Sequence, residues 1–184
     1  MRRIINSTYI TLDGVIANPQ DWPSSDVPAA AGVIQTELLF GCDSVLMGRH
    51  TYTSFAAVWP TRSGDPFSDR INSMSKHVVS STLGNPEWNN TNVISGDPVA
   101  EISRLKREPG KDIVQYGFGR LSYTLMHHGL LDELRLWVHP FFIGGGGPEA
   151  LLYREGPVTR LSFVDAKPLE NGDVILTYRP PQTA

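Results

Sequence analysis

An apolar strand that runs directly into a Gly-Arg-x-Thr turn constrains this chain more than any other segment. Val45 to Met47 is uninterrupted apolar sequence, and Gly48, Arg49 and Thr51 follow it at once. A strand that stops at a glycine and passes into a helix presents free backbone N–H groups and the positive end of the helix dipole, here beside a guanidinium. These groups suit a phosphate. An ordinary strand–helix junction with a surface arginine is the alternative interpretation.

The composition disfavours several classes of protein. The chain has 184 residues, of which 40% are hydrophobic and 19% charged, as is typical of a folded globular domain. The 16 basic and 19 acidic residues give a net charge of -3 without a basic run, so no nucleic-acid partner is expected. No apolar run predicts a membrane span or a secretion signal, so a cytoplasmic protein without membrane contact is expected. The lone Cys42 excludes an internal disulfide and is expected to be a small buried residue.

Strand-like and helix-like segments alternate along the chain. The apolar patterns and turn residues predict strands over 3–12, 44–47, 76–80, 92–95, 112–116 and 134–139. They predict helices over 29–40, 51–58, 67–75, 98–107 and 121–128. The helix over 29–40 is expected to bury one stripe of Val33, Ile34 and Leu38, and a long polar loop with Trp22 precedes it over 18–26.

The end of the chain predicts antiparallel strands. Residues 141–143 are expected to extend the strand over 134–139, before Gly144–Gly147, which forms either a flexible turn or an anion-binding nest. Segments 161–168 and 174–178 around an Asn-Gly turn predict a hairpin. The whole pattern predicts an α/β fold, a three-layer αβα sandwich with a central mixed sheet and a C-terminal hairpin, in a single domain over 1–184.

Three predicted strand ends carry small or hydroxyl residues. They are Gly48–Thr51, Ser80–Thr82 and Gly117–Leu121, and each follows an apolar run. Ligands of parallel sheets bind beyond the carboxyl ends of the strands, so these segments are expected to line one groove. Three such segments in one short chain favour an elongated, polyphosphorylated ligand over a coincidence of architecture.

These motifs resemble the dihydrofolate reductase superfold and, more closely, the C-terminal reductase domain of riboflavin biosynthesis, the RibD C-terminal domain. The segment Thr11–Ala17 is similar to the first-strand signature of the riboflavin group. Met47–Tyr52 resembles the shared Gly-Arg-x-Thr motif, Gly117–Leu121 the glycine turn, and Gly129–Leu134 the segment after the following helix. The resemblance spans nearly the whole chain and implies a dihydrofolate reductase-like fold.

The resemblance also implies an NADPH site. The Gly-Arg-x-Thr turn would hold cofactor phosphates, the Ser80 end would lie near the adenosine ribose and its 2′-phosphate, and the glycine turn would take the pyrophosphate. Two residues after the first strand would flank the nicotinamide, and Trp22 would lie in a loop that closes over the reacting ring. The residues assigned to the cofactor are Ile16, Ala17, Gly48, Arg49, His50, Thr51, Ser80, Ser81, Thr82, Gly117, Phe118, Gly119, Arg120 and Leu121.

Fewer residues are candidates for the reaction itself than for cofactor binding. Dihydrofolate reductases place a carboxylate in the helix that precedes the Gly-Arg-x-Thr turn, but alignment backwards from that turn puts Gly32 there. Asp13 and Glu37 remain as candidates beside Trp22: Asp13 as proton donor, orienting carboxylate or turn residue, and Glu37 as proton donor or solvated helix residue. The histidines show no metal-binding spacing, so no metal is expected.

The function expected from these features is hydride transfer from NADPH to a small heterocyclic or carbonyl/imine-like substrate, such as a riboflavin-precursor pyrimidine. A non-catalytic NADP-binding sensor or dimeric scaffold is the alternative, because the helix carboxylate is missing. An ordinary dihydrofolate reductase is the third possibility. Analogy with riboflavin-type reductases implies a homodimer, and the aromatic stretch 137–142 is a candidate interface.

Overall fold

Strands and helices alternate in the computed structural model, which describes residues 1–23 and 28–182. The strands are β1 (Ile4–Thr11), β2 (Cys42–Gly48), β3 (Ser75–Val79), β4 (Thr91–Ile94), β5 (Asp112–Tyr116), β6 (Glu133–His139), β7 (Ser162–Pro168) and β8 (Val174–Arg179). The helices are α1 (Ala29–Gly41), α2 (Arg49–Ala56), α3 (Pro66–Ser73), α4 (Pro98–Arg107) and α5 (Arg120–His127). Residues 24–26 of the predicted loop lie outside the described residues.

The strands form a mixed sheet in the order β4-β3-β2-β5-β1-β6-β8-β7. β2 pairs in parallel with β3 and β5, and β3 pairs in parallel with β4. β8 pairs antiparallel with both β6 and β7. The connection from β2 to β3 contains α2 and α3, whereas residues 80–90 join β3 to β4 without a helix and a short turn joins β7 to β8. The predicted α/β class, with a mixed sheet and a C-terminal antiparallel hairpin, is confirmed.

The chain divides into two compact units. The first comprises Met1–Ile5 and Val33–Tyr116, and the second comprises Asn6–Gly32 and Gly117–Ala184. The division falls within β1 and within α1. The single domain expected over 1–184 stays a prediction. No helix in the described part of the chain is long and apolar enough to span a lipid bilayer.

The core of the first unit is built on the central apolar strand β2. Val45 and Met47 are fully buried, and Cys42 at the start of the strand is buried as expected of a small apolar residue. Tyr52 of α2 packs against Trp88, with 6.2 Å between the ring centroids. The Trp88 backbone N–H also donates to the Tyr52 hydroxyl at 3.3 Å. The helix that follows the Gly-Arg-x-Thr turn is thereby fixed to the core.

The face that α1 buries in the first unit differs from the predicted one. Val33 is 54% exposed, although it was expected on the buried stripe with Ile34 and Leu38. The buried residues of this part of α1 are Gln35, Leu38 and Leu39, which follow the three- and four-residue spacing of a helix face. Val33 falls outside that spacing, so the prediction for this residue was wrong.

Trp137 of β6 lies at the centre of the second unit. Its side chain is 1% exposed, its Nε1 donates to the Ser7 hydroxyl oxygen at 3.1 Å, and its ring meets that of Tyr9 edge-on at 5.7 Å. A buried tryptophan with its N–H satisfied belongs to the core. Within the predicted interface stretch, Trp137 is therefore not a surface residue, whereas Phe142 is 71% exposed.

Residues 141–143 do not extend β6, contrary to the prediction. The strand ends at His139, where the Phe141 N–H donates to the His139 carbonyl oxygen at 2.9 Å and closes a tight turn around Pro140. Proline has no N–H for a strand ladder, which favours an end at this point. The hairpin of β7 and β8 is confirmed, and Gly172 in its turn has a φ of 89° that favours glycine.

A buried lysine connects three segments of the first unit. Lys76 of β3 is fully buried, and its Nζ donates to the carbonyl oxygens of Asn72 at 2.6 Å and Asn89 at 3.0 Å. The same nitrogen lies 4.5 Å from the ring centroid of Trp88, a cation–π distance. Burial lowers the pKa of Lys76 to about 8, because the charged amine loses hydration that these neutral groups replace only in part.

We expect the free energy of unfolding to rise between pH 8 and pH 10.5, because Lys76 loses its proton in the folded state before it does in the unfolded state. The stabilisation from Lys76 is complete above the pKa that this residue has in the unfolded state, and it is lost as the pH falls through its pKa in the folded state. The pKa difference sets its upper limit at about 3 kcal/mol. Urea unfolding at a series of pH values measures it.

The variant Lys76→Met should lack this rise in stability. Lys167→Met is the matched control, because Lys167 lies exposed on β7. The control should show the same increase in the free energy of unfolding with pH as the parent protein. An identical slope in Lys76→Met and in the parent protein would contradict the assignment.

Candidate functional site

The carboxyl ends of β2 and β3 bring two predicted groups together in the first unit. The parallel register pairs Gly48 with Val79, so the two strands end at the same level. α2 begins at Arg49, whose Nη1 donates to Thr82 Oγ1 at 3.1 Å. Both of these side chains are exposed. Gly48–Thr51 and Ser80–Thr82 thus form one surface, here named the strand-end surface.

The serine directly after β3, Ser80, holds the turn of this surface through its buried hydroxyl group. Ser80 is buried, and its hydroxyl oxygen accepts the backbone N–H groups of Thr82 at 3.2 Å and Leu83 at 3.0 Å. This short-range bonding is typical of a serine that closes a turn. Ser81 and Thr82 are exposed. Of the three predicted hydroxyls, two face solvent and one holds the turn.

The start of α2 offers donors suited to an anion. Within the described residues, no side chain caps the helix at Gly48, and no heavy atom lies within 4 Å of the position that a Cβ would take there. His50 is exposed and Thr51 half-buried on the first turn. Uncapped N–H groups, the helix dipole and the Arg49 guanidinium fit a phosphate group such as those of NADPH.

The predicted carboxylate on α1 is that of Glu37. Among the described residues, it has no recorded contact with the strand-end surface. Glu37 lies exposed on the helix, as expected of a solvated residue. Leu38 and Leu39, its neighbours in the sequence, are the residues that α1 buries. The helix therefore turns its apolar side to the core and leaves Glu37 at the surface.

In the second unit, the glycine turn after β5 is held by its own carbonyl group. Gly117 has a φ of 76°, and its carbonyl oxygen accepts the Asn6 Nδ2 at 2.8 Å and the Ser122 hydroxyl at 3.3 Å. The Phe118 side chain is buried and meets the Tyr123 ring edge-on at 5.0 Å. Because its ring is committed to packing, Phe118 can offer a ligand only its backbone.

The start of α5 is more open than the turn that precedes it. Gly119 precedes the first residue of the helix, Arg120, and no described atom lies within 4 Å of its hypothetical Cβ. Its N–H donates to the Ser122 hydroxyl at 3.4 Å. Arg120 is exposed and Leu121 is half-buried. Gly119 and Arg120 are the residues of the predicted glycine turn that are best placed for a ligand.

The carboxylate of Asp13 is fully engaged within the second unit. It accepts a hydrogen bond from the Thr11 hydroxyl and from the backbone N–H groups of Gly144 at 2.8 Å and Ile143 at 3.3 Å. These bonds, the Thr11 hydroxyl first, hold the pKa of Asp13 below its ordinary value. An ionised carboxylate is a poor proton donor at neutral pH, so the geometry suits a positioning role. Of the glycine run, the Gly144 N–H is the one that the structure records as bonded to this carboxylate.

Of the two residues predicted beside the nicotinamide, Ala17 contacts Trp22 and Ile16 contacts Ala150. The Ile16 N–H donates to the Ala150 carbonyl oxygen at 2.8 Å, and the Trp22 Nε1 donates to the Ala17 carbonyl oxygen at 2.9 Å. The half-buried indole of Trp22 also meets the Phe141 ring edge-on, with the centroids 5.9 Å apart. Trp22 thus packs against aromatic side chains and is tied to its own loop.

A histidine that sequence reasoning did not single out lies against Trp22. The His139 Nδ1 is 3.2 Å from the Asp173 Oδ1, and the imidazole meets the Trp22 ring edge-on at 5.5 Å. Burial lowers the pKa of His139, while Asp173 acts in the opposite direction. The neutral form of the imidazole is therefore favoured relative to that of an exposed histidine. No sequence signal could have paired the two residues, because only the register of β6 against β8 brings them together.

The model of the RibD C-terminal domain family matches residues 2–175. The chain belongs to the RibD C-terminal domain family. A relative in Bacillus subtilis (strain 168), the uncharacterized protein YyaP, is 30% identical over 185 residues, which cover 96% of this chain and 94% of YyaP. The resemblance inferred from the sequence motifs is confirmed.

Solved structures agree with the fold of a RibD C-terminal domain. A putative riboflavin biosynthesis protein from Shewanella sp. PV-4 superposes with a TM-score of 0.72 at 21% identity, over 99% of this chain and all of its own chain (100%). Acinetobacter baumannii RibD, form 1, gives a TM-score of 0.68 at 15% identity. That match covers 99% of this chain but 59% of the Acinetobacter chain. At these identities the likeness shows the fold.

In this RibD C-terminal domain, we expect Asp13→Asn to loosen the glycine run. An amide offers one acceptor oxygen where the carboxylate offers two, so the Gly144 N–H loses its partner. Its hydrogen exchange, followed by NMR, should become roughly tenfold faster. Asp165→Asn, an exposed position on β7, is the control and should leave the exchange unchanged. If the Gly144 N–H exchanges at the same rate in Asp13→Asn and in the parent protein, the positioning role of Asp13 is excluded.

We also expect the pKa of His139 to lie below 6.5 in the native protein and to fall further in Asp173→Asn. Replacement of the carboxylate removes the charge that favours the imidazolium, while the burial that disfavours it remains. A pH titration of the imidazole resonances by NMR measures both values. A pKa that is the same in the variant would show that Asp173 does not act on His139.

Proposed function

We propose that this protein is an NADPH-dependent reductase that transfers a hydride to a small heterocyclic or carbonyl/imine substrate, as a pyrimidine reductase does. Membership of the RibD C-terminal domain family supports the reaction class. The observation that carries the proposal is the Arg49–Thr82 hydrogen bond beside the uncapped start of α2. These groups form an exposed cationic site with hydroxyl and amide donors, which is the chemistry that a phosphorylated cofactor requires.

The strand-end surface is the proposed binding site for the phosphates of NADPH. The Arg49 guanidinium is suited to the ribose 2′-phosphate, because a planar fork of N–H groups binds phosphate oxygens in pairs. The exposed hydroxyls of Ser81 and Thr82 lie on the same surface and add donors. NADPH, when bound, supplies the hydride, and the protein contributes binding and orientation.

The second unit contributes separate roles to the proposal. Gly119 and Arg120 are proposed to contact the cofactor at the start of α5, and Ile16 and Ala17 to contact it through the segment after β1. The half-buried Trp22 would exclude water from the reacting groups, which hydride transfer requires. Asp13 would remain ionised and keep Ile143 and Gly144 in place.

A non-catalytic NADP-binding protein is the second candidate, and two observations favour it. Asp13 is held ionised by hydrogen bonds, and Glu37 is exposed on a helix, so neither predicted carboxylate is a ready proton donor. Oxidation of NADPH in the presence of any ketone, imine or pterin would exclude this candidate. An ordinary dihydrofolate reductase is less favoured, because Gly32 occupies the place of its carboxylate. The homodimer stays a prediction.

We expect the protein to bind NADPH more tightly than NADH, and Arg49→Ala to weaken NADPH binding roughly 10- to 100-fold, because a charge-assisted bond to the 2′-phosphate is lost. NADH lacks that phosphate, so its binding should change little. Calorimetry and quenching of tryptophan fluorescence measure both affinities. Arg107→Ala, at an exposed arginine at the end of α4, is the control.

Two outcomes of this titration would count against the assignments. Equal weakening of NADPH and NADH by Arg49→Ala would show that Arg49 does not recognise the 2′-phosphate. Failure of the unsubstituted protein to bind either coenzyme would overturn the proposed function. In that case the strand-end surface would be architecture alone.

A further inference from the structure

Two buried side-chain nitrogens among the described residues of the second unit lack a hydrogen-bond partner, His139 Nε2 and Asn171 Nδ2, and the first lies among aromatic rings. The Nε2 of His139 is buried and has no hydrogen-bond partner among the residues that the structure describes. Buried polar atoms of side chains are nearly always hydrogen-bonded in native proteins, since an unmade bond is costly. An exception in a region of the fold with functional residues calls for a ligand that completes the bond.

The other imidazole nitrogen fixes the character of this atom. The His139 Nδ1 lies 3.2 Å from the carboxylate of Asp173, which is itself buried. This contact does not complete a hydrogen bond, but the negative charge of a carboxylate this close favours the tautomer with its hydrogen on Nδ1, which leaves the lone pair of the neutral ring on Nε2. The depressed pKa of His139 agrees with a neutral ring. The free nitrogen is therefore an acceptor and requires a donor.

The surroundings of His139 are flat and aromatic. The rings of Tyr9, Trp22 and Phe141 lie with their centroids 5.0, 5.5 and 5.8 Å from the imidazole centroid. Tyr9 lies on β1, whereas Trp22 directly follows the 3-10 turn Pro19–Asp21 and Phe141 follows the end of β6. The indole N–H of Trp22 is bonded to Ala17, five residues earlier in the same segment. The indole of Trp22 is therefore held beside His139 by ring packing and by a bond within its own segment, not by strand pairing.

We propose that the Nε2 of His139 accepts a hydrogen bond from a ring N–H of a flat heterocyclic substrate, which takes the position of the Trp22 indole beside His139 and Phe141. Asp173 is then a positioning residue that holds the imidazole in the accepting tautomer. This inference rests on the proposed function and narrows it. A simple ketone offers only an acceptor oxygen to His139, so an N–H heterocycle is favoured over a carbonyl substrate.

The test uses two probes that differ by methylation of two ring N–H groups. Lumazine carries two ring N–H donors, and 1,3-dimethyllumazine carries a methyl group at each of those positions. Calorimetry at neutral pH should show the full-length protein binding lumazine at least about tenfold more tightly than the dimethyl compound, because a buried acceptor without a donor is penalised. Equal affinities, or no binding of lumazine, would overturn the inference.

The variant His139→Phe keeps a flat ring and removes the acceptor. The preference for lumazine should disappear in this variant, whereas His127→Phe, at an exposed histidine of α5, should retain it. A preference that persists in His139→Phe would overturn the assignment of the acceptor. The thermal midpoint of each variant, measured in parallel, identifies any that fail to fold.

A further measurement uses the unsubstituted protein alone. The His139 Nε2 resonance should be that of an unprotonated nitrogen and should shift when lumazine, but not its dimethyl analogue, is added. A resonance that does not move would also refute the proposal. The NADPH titration remains separate: loss of NADPH binding would overturn the proposed function, whereas the lumazine pair reports on His139 alone.

Discussion

The parallel pairing of β2 with β3 is the constraint on which the strand-end surface depends. Because Gly48 pairs with Val79, the residues that follow each strand emerge side by side, and Arg49 can reach Thr82. Both strands are anchored by fully buried apolar residues, among them Val45 and Val78. The core of the first unit therefore determines where the cationic and hydroxyl groups lie, and no long loop is needed to place them.

Two carboxylates in the second unit act on neighbours within the protein. Asp13 fixes the backbone at Ile143 and Gly144, and the Asp173 carboxylate lies 3.2 Å from the His139 Nδ1. Each is held by hydrogen bonds or burial, so each acts by orienting a neighbour. A proton for a reaction would then come from water or from the substrate environment, which agrees with a fold that leaves the chemistry to its cofactor.

The sequence predicted those parts of the molecule that depend on short-range patterns. Apolar runs located the strands, Asp97 and Pro98 located the start of α4, and the Asn-Gly turn located the hairpin. Patterns failed at two other places. Pro140 ended β6 early through a local turn, and the Gly144 N–H is bonded to Asp13, which is 131 residues away along the chain.

The register of β6 against β8 has a consequence for the number of residues in the turn that precedes β8. Val138 pairs with Val174, so the next residues on the two strands, His139 and Asp173, face each other. One residue inserted between Asp173 and Val174 would lengthen the turn that the Leu169 N–H closes on the Asp173 carbonyl oxygen and would move the carboxylate away from the imidazole. Relatives that carry both residues but differ in the length of this turn would lack the pair. At this position, spacing matters as much as residue identity.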